Sequence, residues 1–254
     1  MRAQIQYQKK YFWVDFAQPL DISIPLEAGE GQVNCFYAPL METWPVVAGD
    51  FVGSTKEGGP LNFLNVKINP HGNGTHTECV GHIAKEPYSL NECLDQFHHI
   101  TKVVSIYPEK MENGDRVITL DLIKDVFVKG EAPSIVIRTL PNHTDKRHRF
   151  YSGTNPPFVH HEAIKYLVDC GVEHLLIDLP SVDREEDGGE LLSHRAFWRY
   201  PDEVRKKATI SELIFVKSVI KDGLYLLNLQ VAPFTIDVSP SKPTLYKLMT
   251  ENVG

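Results

Sequence analysis

The sequence predicts a mixed α/β fold, and two kinds of local pattern predict it. Val103–Tyr107 and Ser134–Arg138 are short runs rich in β-branched residues, bounded by charged or proline-containing turns, the pattern of strands buried on both faces. Between Val159 and Cys170 the apolar residues Ala163, Ile164, Leu167 and Val168 instead recur at helical spacing, until Gly171 stops the run and His174–Asp178 resumes as a strand. A helix that feeds a buried strand through one glycine turn is half of an α/β unit, which sets Asp178 to Asp183 at the strand's carboxyl end.

The other elements follow in chain order. Asp21–Leu26 alternates polar and apolar residues up to a proline and predicts a first strand; Asn62–Ile68 alternates likewise. Between them, residues 27 to 61 hold many Gly and Pro and the pair Trp44-Pro45, a long irregular segment of the kind that covers binding sites. Asp121–Val128 is expected to be helical. Ile210–Val216 and Leu224–Gln230 are expected to be strands paired with each other. With no internal repeat and no low-complexity linker, one domain over residues 1–254 is the economical expectation.

Composition bounds function. A hydrophobic share of 42% over 254 residues suits a packed core, and a formal charge of -7 argues against a nucleic-acid surface, which needs clustered Lys and Arg. The basic run Lys146–Arg149 is expected to be a solvated loop. The amino terminus lacks the apolar core of a secretory signal, and no apolar window reaches the roughly 18 residues of a membrane span, so no membrane partner and a cytoplasmic location are expected. The cysteines at 35, 79, 93 and 170 are then expected to be thiols.

The chemistry concentrates in His71-Gly-Asn-Gly-Thr-His-Thr-Glu-Cys-Val-Gly-His82, which holds three imidazoles, a carboxylate and a thiol among three glycines. An interior glycine costs a helix about 1 kcal/mol against alanine, so an extended or turning chain is expected here. In an extended chain residues i and i+2 share a face, which lets His76 and Glu78 reach one cation while His82 returns from beyond a turn. Cys79 alternates to the other face and is expected to be a buried filler rather than a nucleophile. His161-Glu162 opens a zinc-helix pattern, but Lys165 stands where its second histidine belongs, so a plain helix face is expected.

Gly74-Thr75-His76, Glu78 and His82 resemble the His-x-Gly-Thr-His-x-Asp-x-Pro-x-His signature of the metal-dependent cyclase family, which includes bacterial kynurenine formamidase and isatin hydrolase. The likeness continues in order through Arg138-Thr139, Gly171-Val172, Ile177 to Asp183, His194 and Glu212. The resemblance implies a three-layer β/β/α fold of the swivelling type, homo-oligomeric, with a metal site at strand ends. It also implies hydrolysis of a carbon-nitrogen bond in a small-molecule amide, formamide (N-formylkynurenine-like) or cyclic imide. By the same resemblance His76, Glu78, His194 and Glu212 are metal ligands, His82 shuttles protons, and Trp44 stacks on an aromatic substrate.

The chain also departs from the signature. The first motif histidine belongs at position 72, which is Gly72; His71 comes one residue early, so either the loop bulges to deliver it or that ligand is missing. Glu78 replaces an aspartate, Val80 replaces a proline, and Trp198 to Lys207 looks inserted. One or two metals per chain therefore both stand open, as does a non-catalytic ligand-binding member of the fold with a degenerate metal site. Imidazole and carboxylate donors suit Zn²⁺, Mn²⁺ or Fe²⁺, with zinc or manganese expected. Such an ion activates water near neutral pH, where imidazole is an apt general base. Asp178 and Asp183 are left outside the metal shell, as turn-forming aspartates.

Overall fold

A computed structural model describes residues 1–250. Its largest sheet has nine strands, in the order Val238–Pro240, His76–Glu78, Thr209–Glu212, His174–Ile177, Ser134–Thr139, His98–Ile106, Gly223–Asn228, Thr244–Lys247 and Leu20–Asp21. The strands from His98 to Glu212 run parallel, and the flanking ones antiparallel, so the sheet is mixed. Ser134–Thr139 is buried along its whole length, as its unbroken apolar run requires.

Its side chains alternate between two cores. Ile135 and Ile137 join Ile123, Ile164, Leu167 and Phe197 of the helices Leu120–Val126, His161–Asp169 and Leu192–Trp198 on one face. Val136 joins Val103 and Leu176 on the other, where the sheet curls enough for Leu227 and Leu245 of its outer strands to share the cluster. This is the predicted mixed α/β architecture, with the helices gathered on one face.

Several local expectations need correction. The signature loop does contain a helical turn, Pro70–Asn73: Pro70 takes the first position, and the Asn69 side chain caps it by accepting from Gly72 N at 3.0 Å. Gly72 is needed there for space, since a Cβ would stand 2.2 Å from Ala38 Cβ. Of Asp21–Leu26 only Asp21 lies in a strand, because the chain then turns to give Ile24 N to the Thr75 hydroxyl at 2.7 Å. Within Asn62–Ile68, Leu64–Lys67 pairs with Glu42–Pro45 in a separate ribbon, so the segment thought irregular supplies a strand of its own.

Ile210–Val216 and Leu224–Gln230 are not partners. Thr209–Glu212 lies between His174–Ile177 and His76–Glu78, and Leu213, at φ +53°, turns the chain out of the ladder so that Ile214 and Val216 pack in the second core. Lys146 is not solvated either. It is buried, and its Nζ donates to Asp178 Oδ2 at 2.9 Å and to Thr139 Oγ1 at 2.9 Å, tying two strand ends together. Among the described residues no helix is long and apolar enough to cross a membrane.

Candidate metal centre

The strand His76–Glu78 is held between Thr209–Glu212 and Val238–Pro240, antiparallel to both, with His76 opposite Glu212. Alternation puts His76 and Glu78 on one face, and both are fully buried. On the other face Thr77 Oγ1 lies 2.7 Å from Ser211 Oγ, which closes that side of the ladder. The helical turn Pro70–Asn73 delivers His71 from one end, and a 3-10 turn at Val80–His82 brings His82 back at the other.

His194 comes from the helix Leu192–Trp198. Asp183 accepts from Ser193 N at 2.7 Å and His194 N at 3.1 Å, and its Oδ2 is 2.6 Å from His194 Nδ1. One carboxylate therefore anchors the helix start and fixes the ring, leaving Nε2 to face Glu78 Oε1 at 3.2 Å and Glu212 Oε1 at 3.8 Å. Glu212 is fixed in turn, its Oε1 accepting from Val182 N at 2.9 Å.

The donors converge. His71 Nδ1 is 3.2 Å from Glu78 Oε2, His82 Nδ1 is 3.6 Å from the same oxygen, and His76 Nε2 is 3.4 Å from Glu212 Oε2. Three overlapping sets, His71/His76/Glu78, Glu78/His82/His194 and His71/His82/Asp237, each bring their donor atoms within 4.8 Å of one another. Ligands at about 2.0–2.2 Å from one ion lie up to about 4.4 Å apart, and the separations of 3.2 Å between His71 and Glu78, 3.4 Å between His76 and Glu212 and 3.6 Å between His82 and Glu78 fall inside that limit.

A sharper test of fit comes from unpaired atoms. His76 Nδ1 lies 2.9 Å from Gly74 O, which makes Nδ1 the N–H donor and leaves a lone pair on Nε2. That Nε2 and Glu78 Oε2 are both buried without a hydrogen-bond partner, although His71 Nδ1 is within distance of the latter. Orphaned buried acceptors are costly unless something cationic satisfies them, and two of them face the same space. The residues fit a divalent metal.

Electrostatics agree. Burial alone would raise the Glu78 carboxyl, but the charge of His82 and the nearby His194 and His71 imidazoles hold it well below the usual range. Burial opposes charge on His71, yet the Asp237 and Glu78 carboxylates outweigh it and push this imidazole up to about 10. Asp183 and Glu78 likewise hold His194 well above the ordinary imidazole value, against burial. The site is a negative pocket that favours any positive charge placed in it.

A cavity of about 200 Å³ opens onto the cluster, lined by Phe36, His71, His82, Arg184, His194 and Glu212 among others. All six metal and proton-transfer candidates, His71, His76, Glu78, His82, His194 and Glu212, thus come together. Trp44 does not: it sits in the ribbon opposite Asn65, half exposed, and is not on the cavity wall. The aromatic wall residue is Phe36, held at φ +55°. Sequence reasoning also missed Asp237, whose Oδ2 lies 3.1 Å from His71 Nε2 and 3.6 Å from His82 Nδ1. No motif marks it, and only the pairing of Val238–Pro240 with His76–Glu78 brings it here.

Fold and site together define a mixed α/β protein with a buried histidine-carboxylate centre at strand ends. A model of the Cyclase family matches residues 17–184, which is more than half of the chain, and the protein belongs to that family. Among solved structures, one described as a potential metal-dependent hydrolase with cyclase activity aligns with a TM-score of 0.62 at 15% identity, over 90% of this chain and 97% of that one. An isatin hydrolase bound to the product analogue thioisatinate aligns at 0.63 and 16% identity, over 91% and 92% of the two chains. Isatin hydrolase A from Labrenzia aggregata, bound to benzyl benzoate, aligns at 0.63 and 14% identity, over 92% and 94%. At such identities the likeness shows the fold. No curated protein matches the chain.

Proposed function

We propose that this protein is a metal-dependent hydrolase that cleaves a carbon-nitrogen bond of an amide, formamide or cyclic imide. The observation that carries the reading is the pair of orphaned, buried acceptors His76 Nε2 and Glu78 Oε2, set among His71, His194 and Glu212. His71, His76 and Glu78 would hold one divalent ion, and Glu78, His194 and Glu212 suit a second; zinc and manganese both match these donors. When bound, a divalent ion supplies a Lewis acid for the substrate carbonyl and makes hydroxide available near neutral pH.

The protein's own groups do the rest. His82 lines the cavity with about a third of its side chain exposed, so it can take a proton from water and return it to the leaving nitrogen. Asp183 holds His194 so that Nε2 keeps its aim without help from substrate. Phe36 offers an apolar face for a ring, and the small cavity favours a compact substrate. An assembly of identical chains is part of the same reading, supported by the exposed apolar side chains of Trp44, Val47, Phe63, Leu64 and Val66 on and beside the ribbon.

The deciding experiment is metal content by plasma mass spectrometry after reconstitution with Zn²⁺ or Mn²⁺, joined to an assay on aryl formamides and cyclic imides. Tightly bound metal and turnover that a chelator abolishes support the reading. Protein that holds no metal, or turnover indifferent to the chelator, overturns it.

A further inference from the structure

The signature loop departs from its pattern at the first ligand, where His71 stands one residue early. The helical turn at Pro70–Asn73 carries that ring to Glu78, but reach alone does not aim it. An imidazole has two nitrogens, and a neutral ring ligates through one only if the other carries the proton. At His71 the two nitrogens have different neighbours. Nδ1 faces Glu78 Oε2 at 3.2 Å, and Nε2 lies 3.1 Å from Asp237 Oδ2.

Asp237 is itself stitched to the loop. Its backbone carbonyl accepts from Cys79 N at 3.0 Å, and the next residue, Val238, is in register with Glu78. Gly81 packs against it so closely that a Cβ there would stand 3.0 Å from Asp237 Cβ. His82 Nδ1, at 3.6 Å from the same Oδ2, is past hydrogen-bond reach. The carboxylate is thus placed by backbone pairing, and its side-chain hydrogen bond goes to His71.

We propose that Asp237 is the positioning residue of His71: its carboxylate takes the Nε2–H and so turns the Nδ1 lone pair toward Glu78 and the metal. The inference rests on the metal reading of the site. Asp237 lies outside the stretch that matches the family model, residues 17–184, so the displaced ligand is secured from a part of the chain that the signature does not include. A carboxylate that orients a ligating histidine commonly contributes 10–100-fold in metal affinity.

Metal affinity by chelator competition with Zn²⁺ and Mn²⁺ tests it. Asp237→Ala should weaken binding about 10–100-fold, and Asp237→Asn, whose amide oxygen can still accept from Nε2, should weaken it less. In a His71→Ala background Asp237→Ala should cause no further loss, because its effect passes through His71. Wild-type affinity in Asp237→Ala, or losses that multiply in the double variant, would overturn the proposal. A metal-free readout separates it from the function: proton NMR should show a slowly exchanging, downfield His71 Nε2–H that Asp237→Ala abolishes. If the wild type binds no metal the hydrolase reading falls, and this proton still decides whether Asp237 orients His71; a signal unchanged in Asp237→Ala says that it does not.

Discussion

Glu212 and His76 face each other across neighbouring antiparallel strands, and Glu212 Oε2 lies 3.4 Å from His76 Nε2. Strand register therefore sets the distance between two candidate ligands far apart in sequence, and neither depends on a loop to reach the other. Glu212→Gln preserves shape and can keep the bond from Val182 N, while removing the charge that a cation needs. The expected outcome is a loss of metal affinity of at least about 10-fold, larger for His76→Ala, with unchanged circular dichroism. Full affinity in both variants would place the metal elsewhere.

On the proposed reading, His82 should separate metal binding from catalysis. Its ring is on the cavity wall, 3.6 Å from Glu78 Oε2, and it is the most solvent-accessible imidazole of the cluster. His82→Ala should retain the metal measured by mass spectrometry yet lower kcat about 10²- to 10⁴-fold, the usual contribution of a general base. Turnover at the wild-type rate would remove His82 from the reaction.

Phe36 and Trp44 make opposite predictions. Phe36 lines the cavity, whereas Trp44 stands on the ribbon away from it. An aromatic contact is worth about 0.5–1.5 kcal/mol, so Phe36→Ala should raise KM for an aryl substrate by roughly 2- to 10-fold and leave an aliphatic amide nearly unaffected. Trp44→Ala should change neither. The reverse pattern would return the stacking role to Trp44.

What the sequence disclosed followed the range of the interactions. Ser134–Thr139, His174–Ile177 and the helix His161–Asp169 were legible because apolar spacing within a few residues determines them. The neighbours of Thr209–Glu212 were not, because pairing depends on contacts across the whole chain. The six clustered donors were legible through an ordered motif, while Asp237, an isolated aspartate between Ile236 and Val238, carried no local signal. His71 lies between these cases. Asn69-Pro70 is a helix-start pattern, a cap followed by proline at the first position, but the glycines of the loop argue for an extended or turning chain and mask the helical turn that delivers the displaced histidine.

Acid stability should depend on His174, away from the candidate metal centre. His174 is buried at the start of its strand, with Nδ1 2.9 Å from Thr209 Oγ1 and its ring centroid 3.9 Å from that of His99. Burial, then the charges of His99 and Arg205, push His174 down to about 3, and burial also lowers His99. In the unfolded chain an imidazole takes its proton at about pH 6.5. The folded value is the lower one, so the unfolded state binds more protons between these limits; stability is fully present above about pH 6.5 and is lost as pH falls toward 3. Each unit corresponds to roughly 1.4 kcal/mol, so the urea midpoint should fall measurably between pH 7 and pH 5, before most carboxylates titrate. His174→Asn, which removes the titrating ring, should flatten the curve over that range relative to wild type. Parallel curves for the two proteins would show that His174 is protonated in the fold as readily as in the unfolded chain.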